Sequence, residues 1–185
     1  MRRWRLTDRC WWQARLLKGE SDGLDMVMDE LAAYRQELLT ALMRAVEQIR
    51  PLAARLPWHA WHDPLEPGHR QAHHILAHLR ALERQEFIPN LKRIQAQEVP
   101  TLAIFDDQAW MGAHYQPGEP LNEMMGDLTH LRAEEVEWLR NLPIPDWSRM
   151  GRHPWWGLRS LQWWAERQLE SSLQHCEQLE AFLTQ

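Results

Sequence analysis

The sequence predicts an all-α fold, a four-helix bundle with long connections and an N-terminal extension. Four segments carry apolar residues at alternating three- and four-residue spacing, the stripe of a helix with one buried side. Proline and glycine stand at the ends of those segments, and no stretch alternates with a β period. Four such segments in 185 residues, 44% hydrophobic and 25% charged, suit one domain of ordinary size.

Residues 1–20 read as an arm or short helix, with Trp4, Trp11, Trp12, Leu16 and Leu17 as its possible anchors. Residues 21–185 form the bundle. Ser21 or Asp22 caps the first helix, whose stripe is Leu24, Met28, Leu31, Leu38, Leu42, Ala45, Ile49 and Leu52. Pro51 is expected to end it, because the residue before proline is pushed out of the helical region. A connection rich in proline, tryptophan and histidine follows to Gly68. The second helix runs from about His69 to the mid-nineties on Ala72, Ile75, Leu76, Leu79 and Leu82, with a kink or break expected at Pro89. After the connection 98–119, the third helix starts near Pro120, is carried by Leu121, Met124, Met125, Leu128, Leu131, Trp138 and Leu139, and is stopped by Pro143 and Pro145. A third connection leads to the last helix, about Leu158 to Leu183. Its inward positions are Leu158, Leu161, Ala165, Gln168, Ser172, His175 or Cys176, Leu179 and Phe182.

Composition excludes several function classes. A net charge of -5 argues against a nucleic-acid partner, which needs a basic face. Six basic residues gather in the first 18 positions, but salt screens so modest a field. The absence of a long uncharged apolar run argues against a membrane span or a signal peptide. Cys10 and Cys176, far apart, suggest a reducing compartment, and the expected location is cytoplasmic. Twelve tryptophans against two tyrosines and three phenylalanines favour boundaries, interfaces and pocket walls, because a buried indole N–H wants a partner.

No phosphate-binding glycine loop, Cys-x-x-Cys, His-Glu-x-x-His or Gly-x-Ser-x-Gly occurs. What remains is histidine at inward positions. His74 and His78 stand four apart on the second helix, so their imidazoles lie one above the other, and His175 lies beside Leu179 on the fourth. Bundles place metal sites in their cores with ligands from facing helices. The bland alternative is a pair of satisfied core histidines.

The segments His74-Ile-Leu-Ala-His78-Leu-Arg-Ala-Leu-Glu83, Gly151-Arg-His-Pro-Trp-Trp-Gly157-Leu-Arg-Ser-Leu161 and His175-Cys-Glu-Gln-Leu179 resemble the DinB-like superfamily, over about residues 22–183. The resemblance implies a four-helix bundle, often dimeric, that binds a divalent metal such as zinc or nickel through three histidines. One ligand comes from the second helix, at the position of His78. Two come from the fourth, four residues apart, at Ser171 and His175. Serine at 171 departs from the pattern, since zinc and nickel prefer imidazole or thiolate. His74 is the candidate replacement, with Glu170 or Glu83 as oxygen donors and Cys176 as a thiolate.

The resemblance implies a metal-dependent S-transferase, using a low-molecular-weight thiol, or a hydrolase, acting on a small electrophile. Arg80 and Arg167 are candidates for an anionic substrate, against the commoner role of solvated surface. Trp163 and Trp164 are candidate pocket walls. The alternative reading is a bundle without cofactor that serves as a small-molecule binding module or as the interaction face of a homodimer.

Overall fold

The computed structural model describes residues 21–64 and 70–184. The predicted arm, residues 1–20, lies outside them, and so does the expected start of the second helix at His69. Among the described residues, 21–37 fall outside the compact unit described below, which begins at Leu38.

Helix α1 (Ser21–Arg55) passes through Pro51 instead of ending there. The proline ring forfeits one hydrogen bond to the preceding turn. Leu52 and Leu56, one and five residues further on, are both buried, and their burial offsets that loss. Along the bundle part of α1 the apolar side is Leu38, Leu39, Leu42, Ala45, Val46 and Ile49. Met28, by contrast, is exposed.

The second long helix is α2 (Ala72–Leu82), a π-helical turn at Glu83–Phe87, and α3 (Ile88–Ala96). Pro89 therefore does not break it. The turn before the proline takes in one extra residue, and the Ile88 N–H reaches the Glu83 carbonyl five residues back. The chain then continues as a helix beyond a ring that cannot donate.

The connection after α3 holds a short helix, α4 (Asp107–His114), capped by Asp106, whose carboxylate accepts from the Ala109 N–H at 2.9 Å. Helix α5 (Leu121–Arg140) starts one residue after Pro120, as expected. The third connection corrects the expectation of no β structure. Strands β1 (Met150–His153) and β2 (Gly157–Ser160) pair antiparallel, with Met150 opposite Ser160 and His153 opposite Gly157. Gly157 turns the hairpin with φ +69°, and Gly151 lets β1 lie on α3, where a Cβ would stand 2.7 Å from Ile94 Cγ1. Arg152 bonds to Pro100 and Leu102, both at 2.8 Å, which ties the chain ahead of α4 to the hairpin. Because β2 extends to Ser160, the last helix, α6 (Leu161–Ala181), begins later than expected. The Ser160 hydroxyl caps it at the Trp163 N–H, and Leu158 is exposed on the strand.

Two apolar clusters fill the bundle. One is built on Ile49, Leu76, Leu79, Leu128 and Leu179, the other on Leu42, Leu91, Ile94, Leu139 and Trp164. Between them along the helices lies a polar layer with almost no exposure: Glu83, Arg132, Glu135, Gln168 and Ser172. Arg132 donates to Glu83, to the Ser172 hydroxyl at 3.1 Å and to the Leu42 carbonyl at 3.0 Å, and its Nε lies 3.3 Å from Glu135. Gln168 bridges the two carboxyls. No described helix is long and apolar enough to cross a membrane.

Candidate functional site

His78 sits on α2 and His175 on α6, each inward because it stands beside the leucines of its own stripe. The two rings meet. His78 Nδ1 lies 2.9 Å from His175 Nε2. Their outer nitrogens are each held by an acceptor: His78 Nε2 lies 2.8 Å from Asp107 Oδ2, and His175 Nδ1 lies 2.7 Å from the Ser171 carbonyl. Asp107 reaches His78 from the first turn of α4. The Asp106 cap fixes that turn.

Counting protons defines this arrangement. Neither a carboxylate nor a carbonyl can donate, so the two outer contacts take a proton from each ring. A neutral imidazole has only one. The inner contact then sets two lone pairs against each other at 2.9 Å, unless an additional cation, a proton or a metal, serves both nitrogens. Burial pushes His78 down to about 4, helped by the charges of His175 and Arg70 and opposed by Asp107. Burial also lowers His175, against the Ser171 hydrogen bond. Both effects disfavour an extra proton near neutrality. Burial alone would raise Asp107, but its hydrogen bond to His78 and the nearby His78 and Arg70 charges hold it below the usual carboxylate range.

The residues fit two ligands of a metal. Nitrogens bonded to one ion at about 2.0–2.1 Å are about 2.9 Å apart at a right angle and about 3.4 Å apart at the tetrahedral angle. A histidine ligand characteristically donates its other N–H to a carboxylate or backbone carbonyl, which fixes the ring and its tautomer. His78 and His175 both satisfy that condition. The third position is different. Ser171 is buried and borders the cleft described next. Among the described residues, no group of three or more His, Cys, Asp or Glu side chains gathers as a metal site.

The other expected residues lie elsewhere. The His74 ring packs 4.7 Å from Tyr115, with Nδ1 buried and unbonded. Cys176 points to the Ala45 carbonyl at 3.4 Å, and burial pushes its thiol up to about 11. Glu83 belongs to the Arg132 layer, and Glu170 pairs with Arg167 at 2.8 Å. Arg80 is engaged by Glu119 at 2.5 Å. Trp164 is core and Trp163 is half-buried beside it, while the cleft is walled by Trp155 and Trp156.

That cleft has a volume of about 190 Å³, the share of roughly six waters. Its polar lining is His78, Glu86, Asp107, Arg167 and Ser171; Leu82, Phe87, Phe105 and the two tryptophans make the apolar walls. Arg167 lies over the Trp156 ring, 5.5 Å from its centroid. Sequence reasoning missed Asp107 and Glu86. Asp107 carried a signal, an acidic pair Asp106-Asp107 at the head of a helical stretch. Glu86 carried none, because its direction depends on the extra residue of the π turn.

Neither a family model nor a curated protein matches the sequence. Among solved structures the chain is similar to YfiT from Bacillus subtilis, described as a probable metal-dependent hydrolase with an unusual four-helix bundle topology. The two share 16% identity over 80% of this chain and 86% of that one, with a TM-score of 0.66. The likeness shows the fold, which is the one the DinB-like resemblance implied.

Proposed function

We propose that the cleft is the active site of an enzyme that adds water or a small thiol to a compact electrophile, with His78 and His175 holding a divalent cation. One observation carries the reading: two buried imidazoles, each with its outer nitrogen against an acceptor, bring their inner nitrogens to 2.9 Å, which the proton count makes two lone pairs. The description of YfiT, which shares the fold, points the same way.

His78 Nδ1 and His175 Nε2 would hold the ion, and zinc or nickel suits imidazole nitrogen. Such an ion supplies Lewis acidity, which polarises an electrophile and makes water or a thiol more acidic. The chain's own residues set the conditions. Asp107 and the Ser171 carbonyl hold the two tautomers. Leu82, Phe87, Phe105 and Trp156 narrow the space around the reacting group and strip it of water. The cleft volume suits a small reacting group.

A specific observation favours a second reading, a metal-free bundle that binds a small molecule. Ser171 stands where a third imidazole is expected, and no three-ligand group gathers among the described residues. Metal analysis of the purified chain after reconstitution with zinc or nickel separates the two. The enzyme reading expects one ion per chain, lost in His78→Ala and in His175→Ala. A metal-free chain that still binds small molecules in the cleft would establish the second reading instead.

A further inference from the structure

Glu86 stands apart from Glu83, the other acid of the second long helix. It lies in the π turn three residues after Glu83 and is nine-tenths buried. Glu83 is met by Arg132 and Gln168. Glu86 receives no hydrogen bond and no ion pair among the described residues, yet its side chain borders the cleft together with His78. A buried carboxyl with no partner costs free energy, so an acid kept this way in a cleft is a candidate for work on a ligand.

We propose that Glu86 is the acid–base residue of the cleft, taking a proton from the attacking water or thiol and returning it to the leaving atom. This rests on the enzyme reading above. In the hydrolytic case the water oxygen bonds to the electrophilic carbon as its proton passes to the Glu86 carboxylate. The bond from carbon to the leaving heteroatom then breaks, and that heteroatom takes the proton from Glu86. Water is the only co-reactant, and Glu86 ends as it began.

The surroundings suit the task. Burial pushes Glu86 up to about 7, with Arg167 opposing and Asp107 assisting. A base works best with a pKa near the working pH. The charged and titratable groups that share the cleft are His78 from α2, Asp107 from α4 and Arg167 from α6.

The test uses the full chain reconstituted with zinc, or as purified, against small activated esters, thioesters and epoxides, with water or a thiol such as cysteine as acceptor. For any substrate turned over, the wild-type kcat/KM rises with pH through about 7. Glu86→Gln loses at least about 100-fold in kcat, flattens that limb and changes KM little. Glu86→Asp retains the limb at reduced kcat, and it carries the test if the Gln variant does not fold. A Glu86→Gln chain that keeps the pH limb and a rate within threefold of wild type overturns the role of Glu86 while leaving the enzyme reading intact. A wild-type chain inert across the whole panel overturns both.

Discussion

Replacing one member of the buried carboxyl pair tests how the bundle holds charge in its core. Glu83 and Glu135 face a single guanidinium, Arg132, and all three are shut off from water. Burial raises both carboxyls, Glu135 to about 8, against the lowering effect of Arg132. Near neutrality the folded pair therefore keeps a proton that unfolded glutamates, with a pKa of about 4.3, have lost. Below the unfolded value both states are protonated and the stabilisation is fully present. As pH climbs toward 8 the folded state holds more protons than the unfolded one, and stability falls by at most about 1.4 kcal/mol per pH unit for one proton. Glu135→Gln copies the protonated form. It is expected to match wild type within about 1 kcal/mol at pH 5 and to exceed it by roughly 3–5 kcal/mol at pH 8.5. The double change Glu83→Gln with Glu135→Gln leaves the buried Arg132 with no anion and costs about 3–5 kcal/mol at pH 7. At about 2–4 °C per kcal/mol that is a Tm lower by roughly 6–20 °C. Urea unfolding followed by tryptophan fluorescence at pH 5, 7 and 8.5 gives the free energies, and thermal melts at pH 7 give the Tm. The reasoning is refuted if Glu135→Gln alone loses as much as the double variant at pH 7, or if it gains nothing on wild type at pH 8.5.

Three further perturbations probe the site and its frame. Asp107→Asn removes the anion that orients His78 and is expected to weaken zinc binding about 10–100-fold by calorimetric titration, with the fold intact by circular dichroism. Ser171→His supplies an imidazole one turn before His175 and is expected to tighten zinc or nickel by about ten- to hundredfold; unchanged affinity would show that position 171 does not face the ion. Gly151→Ala drives a methyl to within 2.7 Å of Ile94 and 3.0 Å of Leu102 and is expected to lower stability by about 1–3 kcal/mol in denaturant unfolding, since both neighbours are buried.

The four long helices were legible because each carries its own three-four stripe, and burial follows that stripe from Leu38 to Phe182. The prolines misled. A rule about local sterics put helix ends at Pro51 and a break at Pro89, but packing of Leu52 and Leu56 and one π turn overrode it. The hairpin was hidden because its strands have only four residues each, too few to show a period, and because Gly151 is needed for contact with α3 rather than for any local pattern. His78 and His175 could be proposed from helical position together with the resemblance. Their partners could not, since Asp107 arrives from a separate short helix and the Ser171 contact is made by its backbone. Arg132 and Glu135, charged residues three apart on α5, carry no sign of burial in their own sequence. Only the facing helices show that they lie in the core.

The central claim is that His78 and His175 present two free lone pairs to one cation. Nitrogen-15 NMR of the two imidazoles near pH 7, before and after one equivalent of zinc, tests it most directly. Neutral rings are expected in the apo chain, protonated at His78 Nε2 and His175 Nδ1, with zinc shifting only His78 Nδ1 and His175 Nε2. A shared third proton at neutral pH, together with spectra that zinc leaves unchanged, would contradict it.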